Sequence, residues 1–291
     1  MKAAFILNPA AGRGKALQME ATLQNEAQRL FPGAPIVRSA RPGHARNLAA
    51  QLGGTHDTVI AVGGDGTIHE VVNGLMENKA ALGIVPVGTG NDLVKALNIP
   101  RDTQAALQLI RNTPPRPIDV GRVNDGYFIN GLGIGFDAWV VKRSLSVKKL
   151  RGNLVYLYAV LATLGSYSHC TLEIDMDGNQ SGQDLFLMTI GNGPSLGGGF
   201  KLTPGARLDD GWFDICTIRK MHIPRVLRNL LRVYRGTHIH DPRVEISRCR
   251  EITVRSTIPF AAHADGEALG YDLTELKMSV LPGALHVYCN Y

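Results

Sequence analysis

The chain has 291 residues, of which 44% are apolar and 19% charged, a composition that excludes a disordered protein. That length holds one large domain or two ordinary ones, each with its own core. With 31 Lys and Arg against 25 Asp and Glu, the net charge of +6 favours anionic partners such as phosphates or acidic lipid surfaces, but lacks the dense basic footprint of a nucleic-acid binder.

The segment MKAAFILNPAAGRGK begins like a signal peptide, with Lys2 ahead of an apolar run. The run stops at Asn8-Pro9 and enters a glycine loop, so Lys2–Leu7 is predicted as a first strand. A helical stretch follows at Ala16–Leu30, then a strand at Ile36–Arg38 and a helix at His44–Leu52. Thr58–Val62 is apolar and β-branched, hence a buried strand, and Ile68–Met76 is predicted to start a helix directly after a glycine turn. Leu82–Val85 repeats the scheme, with helices at Asp92–Leu97 and Asp102–Arg111. Alternation of this kind predicts a parallel α/β sheet.

After Asp119 the pattern changes to alternating strands at Tyr127–Asn130, Thr171–Met176, Leu185–Ile190, Phe213–Ile218, Glu251–Val254 and Glu275–Val280, separated by turn signals such as Asp177-Gly178-Asn179 and Asp210-Gly211. The expected architecture is an α/β N-terminal domain over residues 1–121 and a mainly antiparallel β domain over residues 122–291. Leu154–Leu164, the longest apolar stretch, is too short to span the ~30 Å hydrocarbon core. Cys170, Cys216, Cys249 and Cys289 form no CxxC pair, which suggests neither a zinc site nor a disulfide framework and fits a reducing cytoplasm.

Three loops follow strands and carry the chemistry. Gly63-Gly64-Asp65-Gly66-Thr67 lies between a buried strand and a helix, where glycine permits close backbone approach and the helix N-terminus suits phosphate. Asp65 would repel phosphate there unless a cation intervenes, so it implies Mg²⁺ or a proton-accepting role; a simple helix cap is the competing explanation. Gly88-Thr89-Gly90-Asn91-Asp92 occupies the equivalent place after the next strand, and Asn8-Pro9-Ala10-Ala11-Gly12-Arg13-Gly14 follows the first. Neither a Walker A loop nor a GxGxxG fingerprint is present. Loops at three strand ends of an open α/β sheet describe a nucleotide-phosphate site.

NPAAGRG, RPGHA (Arg41–Ala45), GGDGT, GTGND and a late Asp265-Gly266-Glu267 occur in the order seen in the diacylglycerol kinase catalytic-domain family, which the chain resembles over essentially its whole length. That family includes sphingosine and ceramide kinases, and the spacing looks most like its bacterial soluble members. The resemblance implies a fold with NAD kinase/diacylglycerol kinase-like α/β character in its first domain, where ATP binds, and lipid held against the β domain. It assigns the ATP phosphates to Gly63, Gly64, Asp65, Gly66 and Thr67. Asn8, Pro9, Thr89 and Asn91 resemble further nucleotide contacts, and Asp92 a group near the acceptor hydroxyl. Ser39, four residues before Gly43, matches a position that is often Thr and contacts ATP. Glu267 matches the acidic residue proposed as catalytic base, although Asp-Gly is also a standard hairpin dipeptide. Residues 203–212 resemble a structural Mg²⁺ loop, with backbone carbonyls from the positions of Arg207 and Trp212 and the carboxylate of Asp210 as ligands; an Asp-Gly turn without metal accounts for the same residues.

The function expected is therefore transfer of the ATP γ-phosphoryl, with Mg²⁺, to a membrane lipid hydroxyl, diacylglycerol leading and phosphatidylglycerol or a sphingoid base as alternatives. A soluble-metabolite kinase of the NAD kinase type and a nucleotide-binding regulator are the competing readings. The protein is expected in the cytoplasm, peripheral at the membrane surface, with ATP and lipid rather than nucleic acid as partners; pairing as a homodimer is left open. In Arg225–Arg235, arginines at spacings of three and four share one helical face and leucines the other, which describes either a helix packed through its leucines or one docked on anionic lipid. His69, Glu70 and His263 are read as ordinary polar neighbours.

Overall fold

Apolar β-branched runs closed by glycine turns set the frame of the N-terminal half. In chain order it contains β1 (Ala3–Leu7), α1 (Lys15–Gln18), α2 (Glu20–Leu30), β2 (Ile36–Arg38), α3 (His44–Gly53), β3 (Thr58–Gly63), α4 (Asp65–Leu75), β4 (Ala81–Pro86), α5 (Asp92–Ala96) and α6 (Thr103–Asn112). These elements come from a computed structural model that describes residues 1–146, 153–167 and 169–291. The predicted helix over Ala16–Leu30 is divided at Met19 into α1 and α2. The four strands are parallel in the order β4-β3-β1-β2. Every residue of β1, β3 and β4 is buried, as expected for a sheet covered on both faces.

Register sets the height of the loops. Leu7 is level with Arg38 and with Val62, and Val62 with Val85. The four segments that leave these strands therefore start from one rim. β2 and β3 flank β1 on opposite sides, which makes the β1/β3 boundary the point where the winding reverses and ligands collect.

The second half contains β5 (Arg116–Val123), β6 (Gly126–Phe128), β7 (Gly131–Gly135), α7 (Phe136–Leu145), α8 (Asn153–Leu164), β8 (Cys170–Met176), β9 (Asn179–Gly191), β10 (Phe213–Arg219), α9 (Ile223–Val233), β11 (Val244–Cys249), β12 (Glu251–Ala264) and β13 (Glu267–Val287). Its strand pairs are antiparallel. β9 pairs β8 through its first half and β7 through its second; β12 does the same with the same two partners. These pairings close on themselves, so β9 and β12 must pass from one layer to the other. In β12 the register shifts between Arg255 and Phe260, across Pro259, which has no N–H for a ladder. Inside lie Phe128, Leu132, Leu172, Met188, Phe213, Ile252 and Leu276, all buried, with the Phe128 and Phe213 rings stacked at 5.5 Å.

The chain divides into two units, Met1–Val120 with Pro282–Tyr291, and Gly121–Leu281. The first change of unit falls between Val120 and Gly121. The last ten residues group with the first unit rather than with the strands that precede them. Val287 pairs in parallel with Leu82 of β4, Tyr288 N–H donates to the Leu82 carbonyl at 3.1 Å, and the buried Tyr288 hydroxyl lies 2.9 Å from Thr58 Oγ1.

Among the described residues, three α-helices, α7, α8 and α9, accompany the β strands of the second unit. None of the helices among the described residues is long and apolar enough to cross a membrane. α9 is fastened by Asp241, whose buried carboxylate accepts bonds from Arg225 Nη2 at 2.7 Å, Arg225 Nε at 2.9 Å, Asn229 Nδ2 at 2.9 Å and the Arg243 N–H at 2.9 Å. The Arg225 guanidinium holds the Asp241 carboxyl well below the usual carboxylate range. Its contribution is thus complete above the ordinary carboxylate value of roughly 4 and disappears as pH falls further. Melting temperature followed against pH should show this acid-side loss, and Asp241→Asn should be less stable at neutral pH with a flatter acid limb.

Candidate active site

On the rim of the parallel sheet, the loops after β1, β3 and β4 are joined by specific contacts. Asn8 Nδ2 donates to Thr67 Oγ1 at 2.9 Å across the β1/β3 boundary, and Asn8 Oδ1 accepts the Ala10 N–H at 3.0 Å. The Gly64 and Gly88 backbones press together: a Cβ on Gly64 would lie 3.1 Å from Gly88 Cα, and one on Gly88 2.8 Å from Gly64 Cα. Only glycine permits that approach. The Val87 N–H donates to the Gly63 carbonyl at 2.8 Å, which completes the junction.

Asp65 is the first residue of α4, and its carboxylate reaches across to the neighbouring loop. Oδ2 accepts the Asn91 N–H at 2.8 Å and Oδ1 the Asp92 N–H at 3.1 Å, so it caps α5 on the neighbouring loop. One carboxylate thereby sits at two helix N-termini, where the partial positive charge favours it. Asn91 holds a left-handed conformation, φ 51°, and its Nδ2 donates to the Gly88 carbonyl at 2.8 Å. Its buried Oδ1 accepts no hydrogen bond among the described residues, leaving an acceptor that a bound ligand's donor would satisfy. Thr89 is exposed beside it. Asp92 is buried, with Lys95 Nζ 3.2 Å from its Oδ1.

The fourth segment on the rim leaves β2. Ser39 is buried and its N–H donates to the Leu7 carbonyl at 2.9 Å. Beyond it, Glu70 on α4 accepts the Gly43 N–H at 2.8 Å and the Ala45 N–H at 3.0 Å, capping α3 from a different helix. Spacing alone gave Glu70 no role, because a cap supplied 25 residues away leaves no local signature. Glu70→Gln weakens these charge-assisted bonds and should cost about 1–2 kcal/mol, read by urea unfolding.

In the second unit, Asp265 and Gly266 both have positive φ and form the two-residue turn of the β12–β13 hairpin, with Ala264 opposite Glu267. The Asp265 carboxylate accepts the N–H groups of Ile129, Asn130 and Gly131 at 2.8–3.1 Å, and the Gly266 N–H donates to His263 Nδ1 at 3.3 Å. Glu267 emerges from this braced turn exposed to solvent. His263 Nε2 points toward Asp137, 3.5 Å from its buried Oδ2. Asp137 also lines an apolar cavity of about 580 Å³, counting its open mouth, walled by Phe136, Val160, Phe186, Phe200 and Leu230 among others. Neither Asp137 nor the cavity is visible as a motif; both depend on α7 and α8.

With this geometry in view, residues 2–123 match the diacylglycerol kinase catalytic domain, and residues 131–289 the YegS C-terminal NAD kinase beta sandwich-like domain. The chain belongs to the diacylglycerol kinase family. It is 38% identical over 217 residues to a diacylglycerol kinase of Bacillus subtilis (strain 168), covering 72% of this chain and 71% of the relative. A Staphylococcus aureus (strain bovine RF122 / ET3-1) diacylglycerol kinase is 34% identical over 215 residues, with coverage of 73% and 68%. A crystal structure of a diacylglycerol kinase from Bacillus anthracis str. Sterne superposes with a TM-score of 0.81 at 25% identity, covering 99% of this chain and 97% of that one.

For a nucleotide, the rim fits: a close glycine junction, helix N-termini and an Asp65 carboxylate of the kind a hard cation takes. The loop of Arg207, Asp210 and Trp212 fits a cation poorly. Asp210 Oδ1 accepts the Trp212 N–H at 3.1 Å, and Oδ2 is ion-paired with Arg248 Nη2. Arg248 Nε also lies 3.5 Å from Oδ2 of the buried Asp214. Burial pushes the Asp214 carboxyl up, and Arg248 opposes that shift. Arg207 instead pairs with Asp209 at 3.1 Å. A divalent ion would have to displace Arg248, whose guanidinium already supplies positive charge to both carboxylates. Without nucleotide, a chelator should therefore leave the melting temperature unchanged, while Arg248→Ala should lower stability by about 1–3 kcal/mol.

Proposed function

We propose that the protein is an ATP- and Mg²⁺-dependent lipid kinase that phosphorylates diacylglycerol to phosphatidic acid. The observation that carries the reading is the capture of the GTGND loop by Asp65, which gathers the strand-end loops into one phosphate-sized rim. Gly63, Gly64, Gly66 and Thr67 would follow the phosphates with backbone N–H groups, and Asn8 fixes the Thr67 hydroxyl. When bound, Mg²⁺ neutralises charge on the phosphate oxygens. Asp65 would hold it. Asp92, buried against Lys95, acts as a positioning group for the acceptor side, and Ser39, Thr89 and Asn91 contact the nucleotide.

Glu267 is assigned as the base that takes the proton of the lipid hydroxyl. Its exposure leaves the carboxylate accessible to a substrate, and the bracing of its turn by Asp265 and His263 fixes its position. The lipid class is supported by the apolar cavity of the second unit, whose walls are almost wholly aliphatic and aromatic. Such a wall suits an acyl chain and offers little to NAD or a sugar phosphate. The protein would meet this substrate as a peripheral visitor to the membrane, and the same cavity would serve another lipid with a free hydroxyl.

Incubation with labelled ATP and a total lipid extract should yield a labelled product in the organic phase, identified by mass spectrometry as phosphatidic acid. Label confined to the aqueous phase would reject the lipid assignment in favour of a soluble metabolite. Asp65→Ala should abolish transfer with the fold retained, and Glu267→Gln should reduce kcat by roughly 10²–10⁴-fold. Wild-type turnover in either variant would remove that residue from the mechanism.

A further inference from the structure

Helix α9 presents three faces rather than two. Val226, Asn229 and Val233 are buried and, with Leu230, line the apolar cavity. The leucines do not all pack inward: Ile223, Leu227, Leu231 and Tyr234, at intervals of four, four and three, are 52%, 38%, 73% and 37% exposed. That spacing makes one stripe along the helix. The third face carries Arg225, Arg228, Arg232 and Arg235. Arg225 and Arg228 are drawn to Asp241, at 2.7 and 3.6 Å. Arg232 and Arg235 have no ion-pair partner among the described residues.

A second helix repeats the exposure. On α8, Leu157, Tyr158 and Leu161 are 40–50% exposed, while Val160 lines the same cavity. Of the twelve exposed large apolar side chains among the described residues, seven lie on these two helices and at Tyr234. A monomer seldom leaves such a concentration in water.

We propose that the Ile223–Tyr234 stripe, with the exposed side chains of α8, seats this unit in the interface of an anionic bilayer. Arg232 and Arg235 contact lipid phosphates there. The inference rests on the lipid-kinase reading for its purpose, and on charge for its occupant. A second copy of the chain would bring the same arginines face to face in a symmetric interface, whereas an acidic leaflet complements them. Because the helix that meets the bilayer also lines the cavity, docking brings the acyl region of the leaflet next to the apolar wall.

Full-length protein is sedimented with vesicles of phosphatidylcholine, alone or mixed with phosphatidylglycerol. Binding to the mixed vesicles should exceed binding to the neutral ones and weaken with salt. Leu227→Ser/Leu231→Ser should weaken it by roughly tenfold or more, and Arg232→Gln/Arg235→Gln should erase most of the preference for anionic lipid, again roughly tenfold. Both variants should phosphorylate a water-soluble short-chain diacylglycerol as fast as wild type, and melt within a degree or so of it, because Leu227, Leu231 and Arg235 are exposed and Arg232 is only half-buried. Equal binding of wild type to both vesicles, or unchanged binding by either variant, overturns the proposal. So does a leucine variant that turns a dimer into a monomer, by analytical ultracentrifugation, with vesicle binding intact. Vesicle binding without phosphorylation of any lipid would sink the kinase assignment and leave the docking surface standing.

Discussion

The nucleotide rim depends on one carboxylate being claimed by two backbone N–H groups. Asp65 reaches from the start of α4 to Asn91 and Asp92, and those two bonds fix the GTGND loop against the GGDGT loop. The glycine pair Gly64 and Gly88 makes the approach sterically permissible; Asp65 makes it favourable. A negative charge in a site for phosphates is costly in isolation. Here two helix N-termini offset it, so the residue serves the rim as a clamp; in the function proposed above, a cation arriving with the nucleotide would offset it further.

The second unit solves a different problem: keeping an apolar hollow open in water. α7, α8, α9 and strands β9 and β10 surround it, and polar anchors hold the walls. Asp241 grips α9 through Arg225 and Asn229; away from the cavity, Asp265 likewise pins its turn to three successive N–H groups. These anchors are charge-assisted and geometrically exacting, which suits a wall that must not collapse into the space it encloses.

Much of the first unit was legible in the sequence because its signals are local. Ile36–Arg38 was read to the residue, and β1, β3 and β4 to within one, since a short apolar run between helical stretches marks a parallel strand; β5 was not read at all. The glycine loops announced the rim. What the sequence hid was every long-range polar partner: Asp65 capping α5, Glu70 capping α3, Arg248 taking the carboxylate expected to face a metal. Such pairs leave no periodic trace. β12 and β13 were read as fragments, because bends and the Pro259 register shift interrupt the alternation that marks a strand. For α9, periodicity separated arginines from leucines but not leucines that face the cavity from those that face solvent.

The return of Pro282–Tyr291 to the first unit has a kinetic meaning. During synthesis, the outer edge of β4 emerges some 200 residues before the strand that pairs with it at Val287. Until then an apolar parallel sheet carries an unfilled edge, the surface on which unwanted strand addition starts. Thr58 likewise waits, buried in β3, for the hydroxyl of Tyr288. The first unit is therefore begun before the second and closed only after it.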